Sequence, residues 1–195
     1  LHKAVEMNDD QLFNLMLSKG GRANDQMMKK AMDNNNTQMV STALDKGANP
    51  GVALGHAQRK GDEEMILLAV NKGANPELAY TYAIDRNNSN LAVGLIKGRG
   101  GNADQFLGMA LKKNNLQLSE VALQQGASAN RALDAPIRSN NTEQLDLLLR
   151  YQANPDRIFT TALKANNIEI SSYAINIGAS TGSANFKLAC TKGQL

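Results

Sequence analysis

The chain has 195 residues, with 21 Lys and Arg against 18 Asp and Glu, and it is 42% hydrophobic but only 4% aromatic, with no Trp. A core so poor in rings must be built from Ala, Leu, Ile, Val and Met, which favours closely packed helices over a doubly wound sheet or a β-sandwich. One cysteine, Cys190, excludes a disulfide framework and a Cys-based zinc site, two His leave no His-rich metal site, and no apolar run reaches the roughly 18 residues of a membrane span.

The formal charge of +3 is too mild to indicate nucleic acid by itself. No cofactor is expected. Leu1-His2-Lys3-Ala4 opens no secretion signal, so the expected setting is the cytoplasm, or a host cytosol for a secreted effector. The first residue is not Met, which suggests a piece of a longer chain with a neighbouring domain at either end.

Self-similarity runs from the first residues onward. A small residue is followed four positions later by Asn or Gly at Ala4/Asn8, Ala31/Asn35, Ala57/Gly61, Ala83/Asn87, Ala110/Asn114, Pro136/Asn140, Ala162/Asn166 and Ala189/Gly193. These anchors fall 27, 26, 26, 27, 26, 26 and 27 residues apart. Three residues before each stands a large apolar side chain: Leu1, Met28, Leu54, Tyr80, Leu107, Leu133, Phe159 and Phe186. Such i, i+3, i+4 spacing is one apolar helical stripe.

Each anchor helix ends at its Asn or Gly, residue types suited to the left-handed backbone that stops a helix. The next residue (Asp9, Asn36, Asp62, Asn88, Asn115, Asn141 or Asn167) suits the N-cap of a second helix. Gly20, Gly47, Gly73, Gly126 and Gly178 close that helix in most units. Asn49-Pro50, Asn75-Pro76 and Asn154-Pro155 then supply an N-cap and a first-position Pro for the following first helix. The expected fold is all-α, a helical-repeat solenoid forming one domain over residues 1–195. Its units lie near 1–27, 28–53, 54–79, 80–106, 107–132, 133–158 and 159–185, with a half-unit at 186–195.

With Ala-X-X-X-Asn/Gly, a Leu-rich second helix and the closing Gly-Ala-Asn, the whole chain resembles the ankyrin repeat. Its period is about seven residues short of the ankyrin period of roughly 33, and Thr-Pro-Leu-His is absent. The shortfall lies between Gly-Ala-Asn and the next first helix, where ankyrins carry a β-hairpin finger. The resemblance therefore implies stacked, fingerless two-helix units acting as a binding scaffold. Tetratricopeptide, armadillo and HEAT units are too long, and the strand motif of leucine-rich repeats is missing.

Two places break the pattern. Pro136 replaces the anchor Ala in what should be a helix interior, so that helix is expected to be short or kinked, with Asp134 restarting it as a cap. Gly98, Gly100 and Gly101 crowd one inter-unit turn and suggest a loose joint.

No catalytic residue is identified. Gly98-Arg99-Gly100-Gly101 lacks the Lys-Ser/Thr sequel of a phosphate loop. Glu63-Glu64 reads as negative charge offsetting a helix dipole, and the ankyrin resemblance implies that His56 is a contact residue near the inner face. Cys190 reads as a small apolar side chain.

The positions just before the Asn/Gly turn do stand out. They bring Arg59, Lys60, Arg86, Lys112, Lys113, Arg138 and Lys164 to the ends of successive first helices, where Lys192 follows and Glu6 and Asp33 precede. By the ankyrin resemblance these positions face a concave groove. The expected function is non-catalytic: capture of an acidic segment of another protein, with Tyr82 and Met109 as apolar anchors. The alternative is a polyanion, nucleic acid or acidic lipid, held by the same basic stripe. Nucleic acid wants more charge and more stacking rings than this chain has.

Overall fold

The computed structural model describes residues 1–180 and Gly182, and it is all-helical there: fourteen α-helices, one 3₁₀ turn and no strand. Phe186, Ala189, Cys190, Lys192, Gly193 and the expected half-unit at 186–195 lie outside the described residues. The helices come in pairs. They are α1 (His2–Glu6) and α2 (Asp10–Ser18), α3 (Asp25–Asp33) and α4 (Thr37–Asp45), α5 (Pro50–Lys60) and α6 (Glu63–Asn71), and α7 (Pro76–Asp85) and α8 (Ser89–Lys97). Then follow α9 (Ala103–Lys112) and α10 (Leu116–Gln124), α11 (Asp134–Arg138) and α12 (Thr142–Arg150), and α13 (Pro155–Lys164) and α14 (Ile168–Asn176).

These pairs form two compact units. One comprises Leu1–Asp85 with Gly94–Gly101, the other Arg86–Val93 with the described residues from Asn102 onward. In the first unit, α1 packs on α2 and α3, α3 on α4 and α5, α5 on α6, and α2 on α4. In the second, α9 packs on α10 and α11, α11 on α12 and α13, α13 on α14, and α10 on α12. Within each unit a helix thus packs on its own partner and on the equivalent helix of the next pair, as expected of a helical repeat.

Local chemistry sets where each helix starts and stops. Asn8, Asn35, Asn87, Asn114, Asn140 and Asn166 all take left-handed backbone, with φ between 49° and 58°, and Gly61 takes their place at 73°. Among residues with a Cβ, Asn tolerates this conformation best, which explains its use at the stop. The following Asp or Asn caps the second helix: Asp9, Asn36, Asp62, Asn88, Asn115, Asn141 and Asn167 each accept from the backbone N–H three residues on, at 2.8–3.0 Å. Asn49 and Asn154 cap α5 and α13 just ahead of a first-position Pro. At one closing position Gln152 replaces Gly and still adopts a left-handed φ of 67°.

The core follows the sequence pattern. Ala4, Ala31, Ala57, Ala83, Ala110 and Ala162 are fully buried, as are Met28, Tyr80 and Leu107 from the apolar column three residues earlier. Small anchors let first helices approach one another closely, so few aromatic side chains fit between them. Leu1 departs from this column: it stands ahead of α1 and is only half-buried, its side chain set against Gly21.

At Pro136 the first helix is shortened to the five residues of α11, behind a 3₁₀ turn at Ala129–Arg131. Asp134 does not cap it. Leu133 holds the N-cap position in helical backbone with no side-chain cap bond, and Asp134 is the first helical residue. Starting the helix there puts Pro136 third, where its missing N–H would have had no intrahelical partner anyway.

Candidate partner-binding surface

The seven basic residues singled out by the sequence are all exposed and stand at first-helix ends. Lys60, Lys112, Arg138 and Lys164 are each the last residue of their helices, where unpaired carbonyls favour positive charge. Arg59 precedes Lys60, Lys113 is the C-cap of α9, and Arg86 directly follows α7. Tyr82 and Met109 are half-buried on α7 and α9.

The first unit holds Arg59, Lys60 and Tyr82. Lys60 Nζ lies 2.6 Å from Asp33 Oδ1, and His56 Nε2 is 3.1 Å from the same oxygen. The Lys60 hydrogen bond is the main reason the Asp33 carboxyl is held below its ordinary range; partial burial opposes this, and His56 reinforces it. So Asp33, from the preceding pair, offsets part of the basic charge here. Arg59 lies back along its own helix toward Gly55, and the Tyr82 hydroxyl lies beside Gly61. A groove of about 320 Å³ on this unit is lined by His2, Glu6, Met27, Lys30 and Asp33 among others, a mixed-charge surface.

The second unit holds Arg86, Lys112, Lys113, Met109, Arg138 and Lys164. Its turns are stitched side by side. Asn115 Nδ2 donates to Asn87 Oδ1 at 3.0 Å, Asn141 Nδ2 donates to Asn114 Oδ1 at 3.0 Å, and Asn167 Nδ2 donates to Asn140 Oδ1. Each left-handed Asn thus accepts from the cap Asn of the next pair, which fixes the spacing of the basic residues just ahead of the turns. Lys112, Arg138 and Lys164 make no ion pair among the described residues.

Beside Arg138 lies an open depression of about 480 Å³, formed with Ile137, Asn140, Asn166, Ile168 and Glu169. Asn140 Nδ2 donates to Glu169 Oε2 at 2.8 Å across it, and Ile168 leaves 58% of its surface exposed. Sequence reasoning passed over Ile168. The signal was there, because most other second helices begin with a polar residue (Asp10, Thr37, Glu63, Ser89, Thr142) and Ile168 does not.

Glu63 and Glu64 lie exposed in the first turn of α6, where they offset the helix dipole. No group of three His, Cys, Asp or Glu among the described residues could hold a metal ion. No described helix is long and apolar enough to cross a membrane. No protein-family model matches the chain, and no curated protein is significantly similar to it.

Proposed function

We propose that this chain is an ankyrin-like helical-repeat binding module, without catalytic chemistry, that takes an acidic segment of another protein on the first-helix ends of its second unit. The observation that carries this reading is the run of exposed Lys112, Lys113, Arg138 and Lys164 on turns held in register by asparagine bonds. Met109 and Ile168 stand on the same unit as apolar contacts, and electrostatics would speed and orient the encounter. The two-helix units and the left-handed Asn stops support the ankyrin-like assignment, and the absence of any strand among the described residues accords with its fingerless form.

The test uses a fluorescein-labelled octaglutamate peptide titrated into the full chain. Reversing Arg86, Lys113 and Arg138 together to Glu should weaken capture by at least about 100-fold, each lost charge contact being about 1 kcal/mol or more. Helicity by circular dichroism should stay unchanged, since these side chains are exposed. Capture that survives the three reversals rejects the surface. A single-stranded oligonucleotide that binds more tightly than the peptide, with a steep salt dependence, would favour the polyanion reading instead.

A further inference from the structure

A second basic ladder occupies the other end of the helix pairs, in the first unit. Lys19, Lys46 and Lys72 are the C-caps of α2, α4 and α6, and each precedes a left-handed glycine (Gly20, Gly47, Gly73). Arg99 stands in the same relation to Gly100, whose φ is 81°. The equivalent positions of the second unit carry Gln125, Tyr151 and Ile177. A helix dipole favours a cation at every C-terminus alike. It does not explain why all four basic residues belong to one unit and none to the other.

Lys72 and Arg99 share a cavity of about 650 Å³ with Asp45, Val70, Asn71, Ala74 and Pro76. Lys72 Nζ donates to both Asp45 oxygens, at 2.6 and 2.7 Å, so its charge is matched within the cavity. The Arg99 guanidinium makes no ion pair among the described residues. Its backbone is pinned, however: the Arg99 N–H donates to Asn71 Oδ1 at 2.9 Å. Gly98 allows this close approach to Asn71, and Gly101 allows the turn to fold back on the end of α8. A Cβ at Gly98 would fall 2.9 Å from Asn71 Oδ1, and one at Gly101 would fall 2.1 Å from the Ile96 carbonyl oxygen. The glycine-rich turn is thus packed against α6 and the end of α8, where a loose joint was expected.

We propose that this cavity is a second binding site, which receives one Asp or Glu carboxylate from an acidic protein segment. With Lys72 neutralised by Asp45, the lining carries one net positive charge, which suits a monoanion. The planar Arg99 fork matches a carboxylate through two parallel hydrogen bonds. Val70, Ala74 and Pro76 offer apolar wall to the methylenes and small neighbours of such a residue. A phosphate dianion would sit near Asp45 and the carbonyl end of α6 with too little positive charge to offset it. The site uses none of the first-helix residues of the proposed groove, so either can fail without the other.

The probe is the peptide acetyl-Ala-Glu-Ala-amide, followed on the full chain by the amide resonances of Gly73 and Gly100. Saturable shifts are expected, and acetyl-Ala-Gln-Ala-amide should produce none. Arg99→Gln should weaken the peptide about tenfold or more, the loss of one charge-assisted pair. Asp45→Asn should tighten it several-fold, because Lys72 then becomes a second free cation. The triple reversal of Arg86, Lys113 and Arg138 should leave these shifts in place. Equal binding of the Gln peptide, full binding by Arg99→Gln, or inorganic phosphate outcompeting the Glu peptide would each overturn the proposal.

Discussion

An asparagine at the start of a second helix does two jobs at once. Its side-chain oxygen caps its own helix, and its amide donates to the preceding pair, so the two faces of one group join local to tertiary structure. Asn167 shows both: Oδ1 accepts from Ile170 N–H at 3.0 Å, and Nδ2 donates to the Ile137 carbonyl at 2.6 Å and to Asn140 Oδ1. Aspartate caps a helix as well as asparagine but offers no amide hydrogens. Asn167→Asp should therefore keep α14 and lose about 1–3 kcal/mol, because it sets a carboxylate against two oxygens that had donors. Asp62→Asn is the control, since Asp62 follows Gly61 and serves only as a cap for α6; it should shift the urea midpoint little. Equal midpoints for the two variants would mean that the inter-repeat bonds contribute nothing. Gln144 shows a different trade. It stands where other second helices place Leu12, Met39, Met65, Leu91, Leu118 and Ile170, and it donates to the Leu111 carbonyl and Asn114 Oδ1 at 2.9 Å each. Its own Oε1 is buried without a partner.

At the scale of elements, α11 is the exception that the anchor rule predicts. Most first helices run nine to eleven residues, whereas Pro136 holds α11 to five and leaves a 3₁₀ turn ahead of it. Pro136→Ala restores both the N–H donor and the room taken by the ring against the preceding turn. The helix should then extend toward Ala129, and amide hydrogen exchange of residues 132–138 should slow. Unchanged exchange would mean that the break is set by Ser128 and Ala129, and Pro136 merely tolerates it. Pair boundaries, caps and left-handed stops were legible in the sequence because each depends on one residue type recurring at a fixed interval. The anchor column was legible for the same reason. What was not legible depends on which side chain of a neighbouring pair lies opposite. Nothing local to Lys60 shows that Asp33 takes its charge, and nothing local to Gly98 shows that Asn71 receives the next backbone N–H. The ladder of Lys19, Lys46, Lys72 and Arg99 was readable in principle, but dipole compensation accounts for any one of its members. Only the contrast between units and the shared cavity separates it from that general effect.

At the scale of the molecule, polar contacts among the described residues of each unit join successive helix pairs and bridge similar intervals. Lys72 reaches Asp45, Arg131 reaches Asp104, the Tyr151 hydroxyl donates to Glu120 and the Tyr173 hydroxyl donates to Asp146. Backbone amides follow the same rule: Asn49, Ser128 and Asn154 N–H donate to Asp25, Asp104 and Asn130, at 2.7, 2.6 and 2.8 Å. Where stability accrues through contacts between successive helix pairs, those that titrate tie it to pH. On the acid side stands Asp33, whose pKa is lowered in the fold from an ordinary 3.8. Its contribution is complete above that ordinary value and is lost as pH falls through the lowered one. On the alkaline side stands Tyr173, whose pKa is raised well above an ordinary 10.0, first by burial of the phenol and then by the hydrogen bond to Asp146 and its negative charge. Because the folded state disfavours the phenolate, this contribution is complete below pH 10.0 and is lost as pH climbs through the raised value. Titrated by phenolate absorbance, the folded chain should therefore show Tyr173 ionising only above pH 10.0, and Tyr173→Phe should remove that step. The melting temperature of Tyr173→Phe should also fall less steeply above pH 10.0 than that of the parent chain. An alkaline limb unchanged by the substitution would show that Tyr173 does not govern it, whereas a flattened limb would trace high-pH loss of stability to this one phenol, through its burial and its hydrogen bond to Asp146.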